Sequence, residues 1–119
     1  MALLTGSNKI KTAVFISGTG SNLKSLIQFS KLKKSPIVIE MIISNNAKSK
    51  GLQYSKVYKI KKKVFDFKNN SSEKKVIDEL KKKNINLICL AGFMKILSKS
   101  FIKNFKEKVK LNGSVNWIL

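Results

Sequence analysis

The stretch TAVFISGTGSN, residues 12–22, joins a short apolar run to a glycine turn. Residues 12–17 read as a strand buried on both faces, because apolar side chains follow one another without the alternation of a half-exposed strand. Gly18 and Gly20 then permit a tight turn, and leucine and isoleucine recur at helical spacing beyond it. The stretch therefore predicts a buried strand, a turn and a helix that begins near Asn22.

The alternation of strand and helix continues along the chain. Further strands are predicted where the sequence is apolar or β-branched, at residues 37–43, 57–60 and 87–91. Helices are predicted between and after them, one ending before Ser35-Pro36, a short one over residues 47–56, one capped by Ser71 or Ser72 and ending near Asn84, and one capped by Ser98. This order predicts an α/β fold, a Rossmann-like parallel sheet with helices on both faces.

The carboxyl ends of the predicted strands indicate where a ligand would bind. Open α/β sheets bind ligands in the crevice outside these strand ends. Three segments follow strands there, at residues 18–22, 44–46 and 92–97. We expect these three segments to converge.

Composition favours one globular domain spanning residues 1–119. Hydrophobic residues make up 43% of the 119 residues, which is too many for a disordered polyelectrolyte. The formal net charge is +19, and all 25 basic residues are lysine. A nucleic-acid-binding protein is one alternative, but arginine, whose planar fork suits guanine and phosphate, is absent. We expect nonspecific, salt-dependent binding to nucleic acid and no specific nucleic-acid partner.

Few residues are available for metal or thiol chemistry. The chain has one cysteine, Cys89, inside an apolar run, and no histidine. No disulfide framework or cysteine-based metal site can form within it, and we predict a buried thiol and no metal. The apolar stretch near the start, residues 2–4, is too short for a signal peptide, and no later run approaches a membrane span. These features predict a cytoplasmic protein.

The glycine turn, residues 18–22, has the features of an anion site. Backbone N–H groups around Ser21, Asn22 and Leu23 would point out of a helix N-terminus, where phosphate binds well. A turn that merely needs glycine is the plainer alternative, because Gly-x-Gly alone is a weak motif. Leu23 stands where a dinucleotide fold has its third glycine, and no Gly-Lys-Ser/Thr follows as in a Walker loop. A monophosphate ligand fits better.

A second candidate segment is LAGFMKIL, residues 90–97, which directly follows a predicted strand. Gly92 can turn the chain, and Phe93, Met94, Ile96 and Leu97 would present apolar side chains at the ligand edge of the sheet. Apolar stripes usually pack in a core. The pattern leaves both core packing and a pocket open.

Taken together, three motifs resemble glycinamide ribonucleotide formyltransferase of purine biosynthesis. They are ISGTGSNL, IISNNAKSKGL at residues 42–52 and LAGFMKILS at residues 90–98. Their order and separations are similar to those of the family over about residues 12–109. The resemblance implies the N-terminal part of the formyltransferase fold, with glycinamide ribonucleotide as substrate and 10-formyltetrahydrofolate as formyl donor.

The resemblance also implies two groups of binding residues. Gly20, Ser21, Asn22 and Leu23 would hold the substrate phosphate. Met94, Lys95, Ile96 and Leu97 would line the folate site. The family often has arginine where this chain has Lys95, a change that keeps the charge and loses the planar fork.

The resemblance ends where the family's catalytic half begins. The family uses an Asn-x-His-Pro motif and a later aspartate, but here KLNGSVNWIL follows Val109. Asn112 is the candidate for the catalytic asparagine, one position out of register and followed by Gly-Ser instead of His, and residues 110–119 read as a divergent tail. We therefore expect a truncated formyltransferase that is inactive alone and that a separate C-terminal partner chain with the missing motif would complete. We also expect self-association, because half of a parallel sheet leaves an unpaired strand edge and uncovered apolar helix faces. A binding module for a phosphorylated metabolite, without catalysis, is the alternative.

Overall fold

The computed structural model describes residues 9–108 and 116–118, which form one parallel sheet and the helices that pack on it. The strands are β1 (Ile10–Ile16), β2 (Ile37–Ser44), β3 (Lys61–Val64), β4 (Leu87–Leu90) and β5 (Asn116–Ile118). The helices are α1 (Ser21–Ser30), α2 (Gln53–Val57), α3 (Asn70–Lys82) and α4 (Lys99–Lys108), with a 3₁₀ turn at Lys50–Leu52 directly before α2.

The sheet has the strand order β3-β2-β1-β4-β5, and every neighbouring pair is parallel. β1 lies in the centre, where Val14 pairs with Ile42 of β2 on one side and with Cys89 of β4 on the other. Because β1 has neighbours on both sides and helices over both faces, it is apolar throughout its second half. The predicted parallel α/β fold is confirmed.

The helices divide between the two faces of the sheet, and each face has its own core. One core joins the sheet to α3 and α4 and contains Ala13, Phe15, Met41, Ile43, Ile88, Val76, Ile77, Leu80, Phe101 and Phe105. The other joins the sheet to α1 and the 3₁₀ turn and contains Val14, Ile16, Ile42, Cys89, Leu23, Ile27 and Leu52. Successive residues of β1 point to opposite cores, as the two-residue period of a strand requires.

The third strand was predicted in the wrong place. Residues 57–60 were expected to form it, but α2 ends at Val57 and Lys59 turns the chain with a φ of 57°. The strand is the lysine-rich segment Lys61–Val64, whose four side chains are exposed at the edge of the sheet. Lysines on an edge strand discourage pairing with another chain, so the segment carries charge where a central strand would carry apolar residues.

The helix ends agree with the prediction, but one helix cap differs. α1 ends at Ser30, before Ser35-Pro36, and α3 ends at Lys82, near Asn84. The cap of α3 is Asn69, whose side-chain oxygen accepts from the N–H of Ser72 at 2.9 Å, so neither predicted serine has that role. Asparagine caps helices as well as serine does, so composition alone did not separate the candidates.

Within the predicted divergent tail, residues 110–119, the segment Asn116–Ile118 pairs with β4 as β5. The free edge of β4 offers unpaired backbone groups to any extended segment that reaches it, which gives a physical reason for this pairing. Among the described residues, no helix has the length and apolar character needed to cross a membrane.

Candidate functional site

The glycine turn connects the end of β1 to α1 and depends on Gly20. Gly20 is the residue before the helix, and its φ of 81° lies in the left-handed region that favours glycine. A methyl group built on Gly20 would lie only 2.6 Å from the Cα of Gly51. Glycine is therefore required at this position both by conformation and by space.

The N-terminus of α1 presents free backbone donors at this turn. The N–H of Lys24 makes a helical hydrogen bond to the carbonyl of Gly20 at 2.8 Å, and Gly20 has no side chain with which to cap the preceding amides. Helix geometry leaves the N–H groups of Ser21, Asn22 and Leu23 without intrahelical acceptors. Together with the positive end of the helix dipole, these amides form a place where an anion is stabilised.

A cavity of about 190 Å³ lies against these amides. It is lined by residues 18–22 and, from the other side, by Ala91 and Gly92 at the end of β4. Drug-sized ligands occupy cavities of about 300–1,000 Å³, so this one suits a small group such as a single phosphate. A larger groove of about 320 Å³ lies elsewhere, between α3 and α4.

The backbone of the turn is held from the segment after β2. The carbonyl of Gly18 accepts from the hydroxyl of Ser49 at 2.6 Å and from the N–H of Gly51 at 2.9 Å. Two donors on one carbonyl fix the direction of that peptide, and the packing of Gly51 on Gly20 fixes the next one. The turn is therefore already shaped before any ligand arrives.

Ser17 joins all three predicted loop segments. Its hydroxyl donates to Oδ1 of Asn45 at 2.5 Å and accepts from the N–H of Met94 at 2.8 Å. Asn45 follows β2, and Met94 lies in residues 92–97, which we call the apolar loop. The expected convergence of the three segments at the carboxyl edge of the sheet is confirmed.

The apolar loop has an anchored backbone and exposed side chains. Phe93 packs inward, with its ring centroid 5.0 Å from that of Phe67 and 5.4 Å from that of Phe15. In contrast, Met94 is 80% exposed and Ile96 is 95% exposed. Apolar side chains this open on an otherwise fixed loop are unusual in a core segment, and they resemble one side of a ligand site.

The far end of the apolar loop is held by a carboxylate from α3. Glu73, only 8% exposed, accepts from the hydroxyl of Ser98 at 2.5 Å and from its N–H at 3.1 Å. The Ser98 oxygen in turn accepts from the N–H of Phe101 at 3.0 Å and caps α4, as predicted. A buried carboxylate with two donors is well satisfied, so Glu73 fixes the entry to α4.

The structure distributes the sequence-predicted residues as follows. Ser21 and Asn22 have exposed side chains beside the cavity, whereas Leu23 is buried and offers only its backbone N–H. Lys95 is exposed beside Met94 and Ile96, and Leu97 is partly buried against the core, so it belongs partly to packing. Asn112 lies outside the described residues.

Four residues that support the site were not predicted from the sequence: Ser17, Ser49, Gly51 and Glu73. Each acts through a contact with a segment distant in the chain, as the separation of Ser17 from Met94 by 77 positions illustrates. A serine or a glutamate that binds a distant backbone has no local signature. The nearest available signal was Gly51, which lies inside the second motif.

Cys89 carries the one thiol of the sequence. It is buried in the middle of β4, and burial raises the pKa of its thiol to about 11. The thiol therefore stays protonated and unreactive near neutral pH. No group of side chains suited to hold a metal ion occurs among residues 9–108 and 116–118.

Comparison with known proteins points to one family. Residues 10–112 match the family described as formyl transferase. The chain is 40% identical over 110 residues to the trifunctional purine biosynthetic protein adenosine-3 of Gallus gallus, covering 87% of this chain and 11% of that protein. It is 39% identical over 103 residues to the phosphoribosylglycinamide formyltransferase of Haemophilus influenzae, covering 83% of this chain and 49% of that protein.

Solved structures give the same likeness. The phosphoribosylglycinamide formyltransferase of Brucella melitensis superposes with a TM-score of 0.78 at 30% identity, covering 85% of this chain and 55% of that one. The enzyme of the same name from Anaplasma phagocytophilum gives a TM-score of 0.74 at 35% identity, covering 84% and 47%. The chain thus spans about half the length of these single-function relatives.

Proposed function

The chain belongs to the formyl transferase family, and from that premise we propose that it binds glycinamide ribonucleotide and 10-formyltetrahydrofolate. The reaction would be transfer of the formyl group to the amine of the ribonucleotide in purine biosynthesis. The observation that carries this proposal is the junction at Ser17, which brings an open helix N-terminus and an exposed apolar loop to one edge of the sheet.

The glycine turn would bind the phosphate of the ribonucleotide. The amides of Ser21, Asn22 and Leu23 would donate to the phosphate oxygens, and the side chains of Ser21 and Asn22 are exposed beside the same cavity. Gly20 would contribute its conformation, which directs these amides outward. Hydrogen bonds to an ionised phosphate are stronger than those between neutral groups, so this turn would supply much of the affinity.

The apolar loop would bind the folate. Met94 and Ile96 expose apolar surface that a flat pterin could cover, and the positive charge of Lys95 suits the carboxylates of the folate. Leu97, partly buried against the core, would hold the loop in place by packing. The folate would thus act as a co-substrate that donates the formyl group.

The sequence contains no histidine that could act as a catalytic acid or base. General acid–base catalysis contributes about 10²–10⁴-fold, and histidine is its commonest agent, but the 119 residues contain none. We therefore propose that these residues bind the substrates without turning them over alone, and that the acid–base groups come from outside the 119 residues, in a C-terminal segment or on a partner chain. Such an assembly would operate in the cytoplasm.

Two other functions make different predictions. A phosphometabolite-binding module without catalysis would use the glycine turn but would not bind folate at Met94 and Ile96. A nucleic-acid-binding protein would rely on the net charge of +19, and its binding would fall steeply with salt while being insensitive to the turn. The defined cavity at residues 18–22 favours the phosphate ligand over the nucleic acid.

Calorimetric titration with two matched ligands tests the proposal. Glycinamide ribonucleotide should bind one site per chain, at least about tenfold tighter than the same riboside without its phosphate, because the riboside cannot engage the charged hydrogen bonds of the turn. Titration with 10-formyltetrahydrofolate should give a second, separate site. Equal affinities for the ribonucleotide and for its riboside would refute the phosphate site. Absence of folate binding would favour the non-catalytic module.

A further inference from the structure

The hydroxyl of Ser17 connects the glycine turn to the apolar loop. Ser17 directly precedes the turn and follows Ile16, which is fully buried at the end of β1. Its oxygen is 2.8 Å from the backbone nitrogen of Met94. This hydrogen bond therefore ties the backbone of Met94 to the end of the central strand.

The direction of this contact is set by a third residue. A serine hydroxyl has one proton, and here that proton points to Oδ1 of Asn45, 2.5 Å away. The lone pairs of the oxygen are then free to accept from Met94. Hydrogen bonds in such a chain polarise one another, so Asn45 strengthens the bond that Ser17 makes to the apolar loop.

The surroundings of Ser17 make it a fixed reference point. The next residue, Gly18, has its carbonyl held by two donors, from Ser49 and Gly51. Beyond Met94, by contrast, the side chains of Lys95 and Ile96 extend into solvent. The bond from Ser17 fixes the loop at Met94, between the packing of Phe93 and the contact of Ser98 with Glu73.

We propose that Ser17 is a positioning residue that sets the apolar loop at the correct distance from the glycine turn, with Asn45 orienting its hydroxyl. This inference rests on the proposed function, since the turn and the loop would hold the phosphate of the acceptor and the folate that donates the formyl group. A displaced loop would move the donor relative to the amine while leaving the phosphate bound. Small misplacements of a reacting group are costly to group transfer.

The test compares Ser17→Ala with Ser25→Ala in the full 119-residue chain. Ser25 is exposed on α1 and makes only a weak 3.4 Å contact within its own helix, so the control removes the same atom without touching the junction. The first readout is hydrogen exchange of the Met94 amide by NMR, which needs no ligand. The second is calorimetry with glycinamide ribonucleotide and with 10-formyltetrahydrofolate.

The expected result separates the two ligands. Ser17→Ala should speed exchange at Met94 and weaken 10-formyltetrahydrofolate binding, by about fivefold for the loss of one hydrogen bond, while binding of the ribonucleotide changes less than about twofold. Ser25→Ala should match the wild type in all three measurements. A loss of both ligands together in Ser17→Ala would show a general structural role and overturn the inference.

A second pair of variants tests the role of Asn45 and guards against misfolding of Ser17→Ala. Asn45→Asp keeps an acceptor oxygen for the Ser17 hydroxyl, whereas Asn45→Leu removes it at similar size. Slow exchange at Met94 should be retained in Asn45→Asp and lost in Asn45→Leu. Equal exchange in the two variants would contradict the orienting role. It would show that protection of the Met94 amide does not depend on an acceptor oxygen at position 45.

The outcomes also separate this inference from the proposed function. If the wild-type chain binds both ligands and Ser17→Ala binds folate equally well, the inference is wrong and the proposed function stands. If the wild-type chain binds neither ligand, the proposed function fails and the inference fails with it. Unchanged exchange at Met94 in Ser17→Ala would overturn the inference whatever the ligands do.

Discussion

Gly20 and Gly51 face each other so closely that a Cβ on Gly20 would come within 2.6 Å of the Cα of Gly51. A Cβ on Gly51 would in turn lie 2.9 Å from the Cα of Gly20 and 2.6 Å from a methyl group of Ile16. At this point the segment after β2 packs against the glycine turn backbone to backbone. This contact explains why the turn keeps its shape without a ligand, and why both positions are glycine.

The contact predicts very different effects of alanine on stability at the two glycines of the turn. Gly20→Ala combines a left-handed φ of 81° with a backbone clash and should lower the free energy of unfolding by about 2 kcal/mol or more. Gly18→Ala, whose Cβ would meet no atom within 4 Å, should change it by less than about 0.5 kcal/mol. Urea unfolding of both variants measures this, and equal stabilities would contradict the packing described. Larger residues at Gly20 are for the same reason poor probes of ligand binding.

Glu73→Gln should destabilise the entry to α4. Ser98 directs two donors at the two carboxylate oxygens of Glu73. Glutamine has only one acceptor oxygen, and its NH2 group would face one of these donors. The free energy of unfolding should fall by about 1–2 kcal/mol. Asp78→Asn makes the same change of charge on an exposed position of α3 and should have little effect. Thermal unfolding followed by circular dichroism compares them, and equal losses would indicate a general charge effect.

Ile96→Gln should weaken binding of 10-formyltetrahydrofolate without affecting stability. The side chain is 95% exposed, so its removal costs the free chain nothing, while a bound folate would lose apolar contact worth about 1 kcal/mol, or roughly fivefold in affinity. Leu32→Gln changes an apolar residue that is 59% exposed beyond the end of α1 and should leave folate binding unchanged. If both variants bound folate as tightly as the wild type, the apolar loop would not be the folate site.

Cys89 predicts how stability and thiol reactivity depend on pH. Burial raises the pKa of this thiol from 9.0 to about 11, so the unfolded chain ionises at lower pH than the folded one. Its contribution to stability is full below pH 9 and is lost as the pH rises towards 11. Reaction with a thiol reagent at about pH 8 should be slow in the folded chain and fast in urea. Rapid reaction without denaturant would show that β4 is open.

Local sequence patterns predicted the parts of the fold that depend on burial. The central strand β1 is enclosed on all sides, so its composition is apolar and its position is evident. The prediction of the edge strand β3 was wrong because the position of this strand depends on pairing with β2, while its lysines face solvent. The apolar residues Tyr58 and Ile60, which suggested a strand, instead pack against the core from the turn after α2.

The candidate site divides in the same way. The glycine turn and the order of the three motifs could be predicted from the sequence because each is a local feature. The predicted convergence followed from the parallel sheet. The contacts that hold the site together join segments that are far apart in the chain, such as Gly18 to Ser49 and Ser98 to Glu73. Hydrogen bonds of this kind follow from the folded geometry and leave no periodic signal in the sequence.

Calorimetric binding of glycinamide ribonucleotide to Asn22→Asp tests the phosphate site most directly. The substitution barely changes size, but it places a negative charge on an exposed side chain beside the helix N-terminus. Repulsion should weaken the ribonucleotide by at least about tenfold. Gln28→Glu adds the same charge to an exposed position six residues further along α1 and should leave the affinity within about twofold of the wild type. Equal affinities of Asn22→Asp and the wild type would contradict the assignment of the glycine turn as the phosphate site.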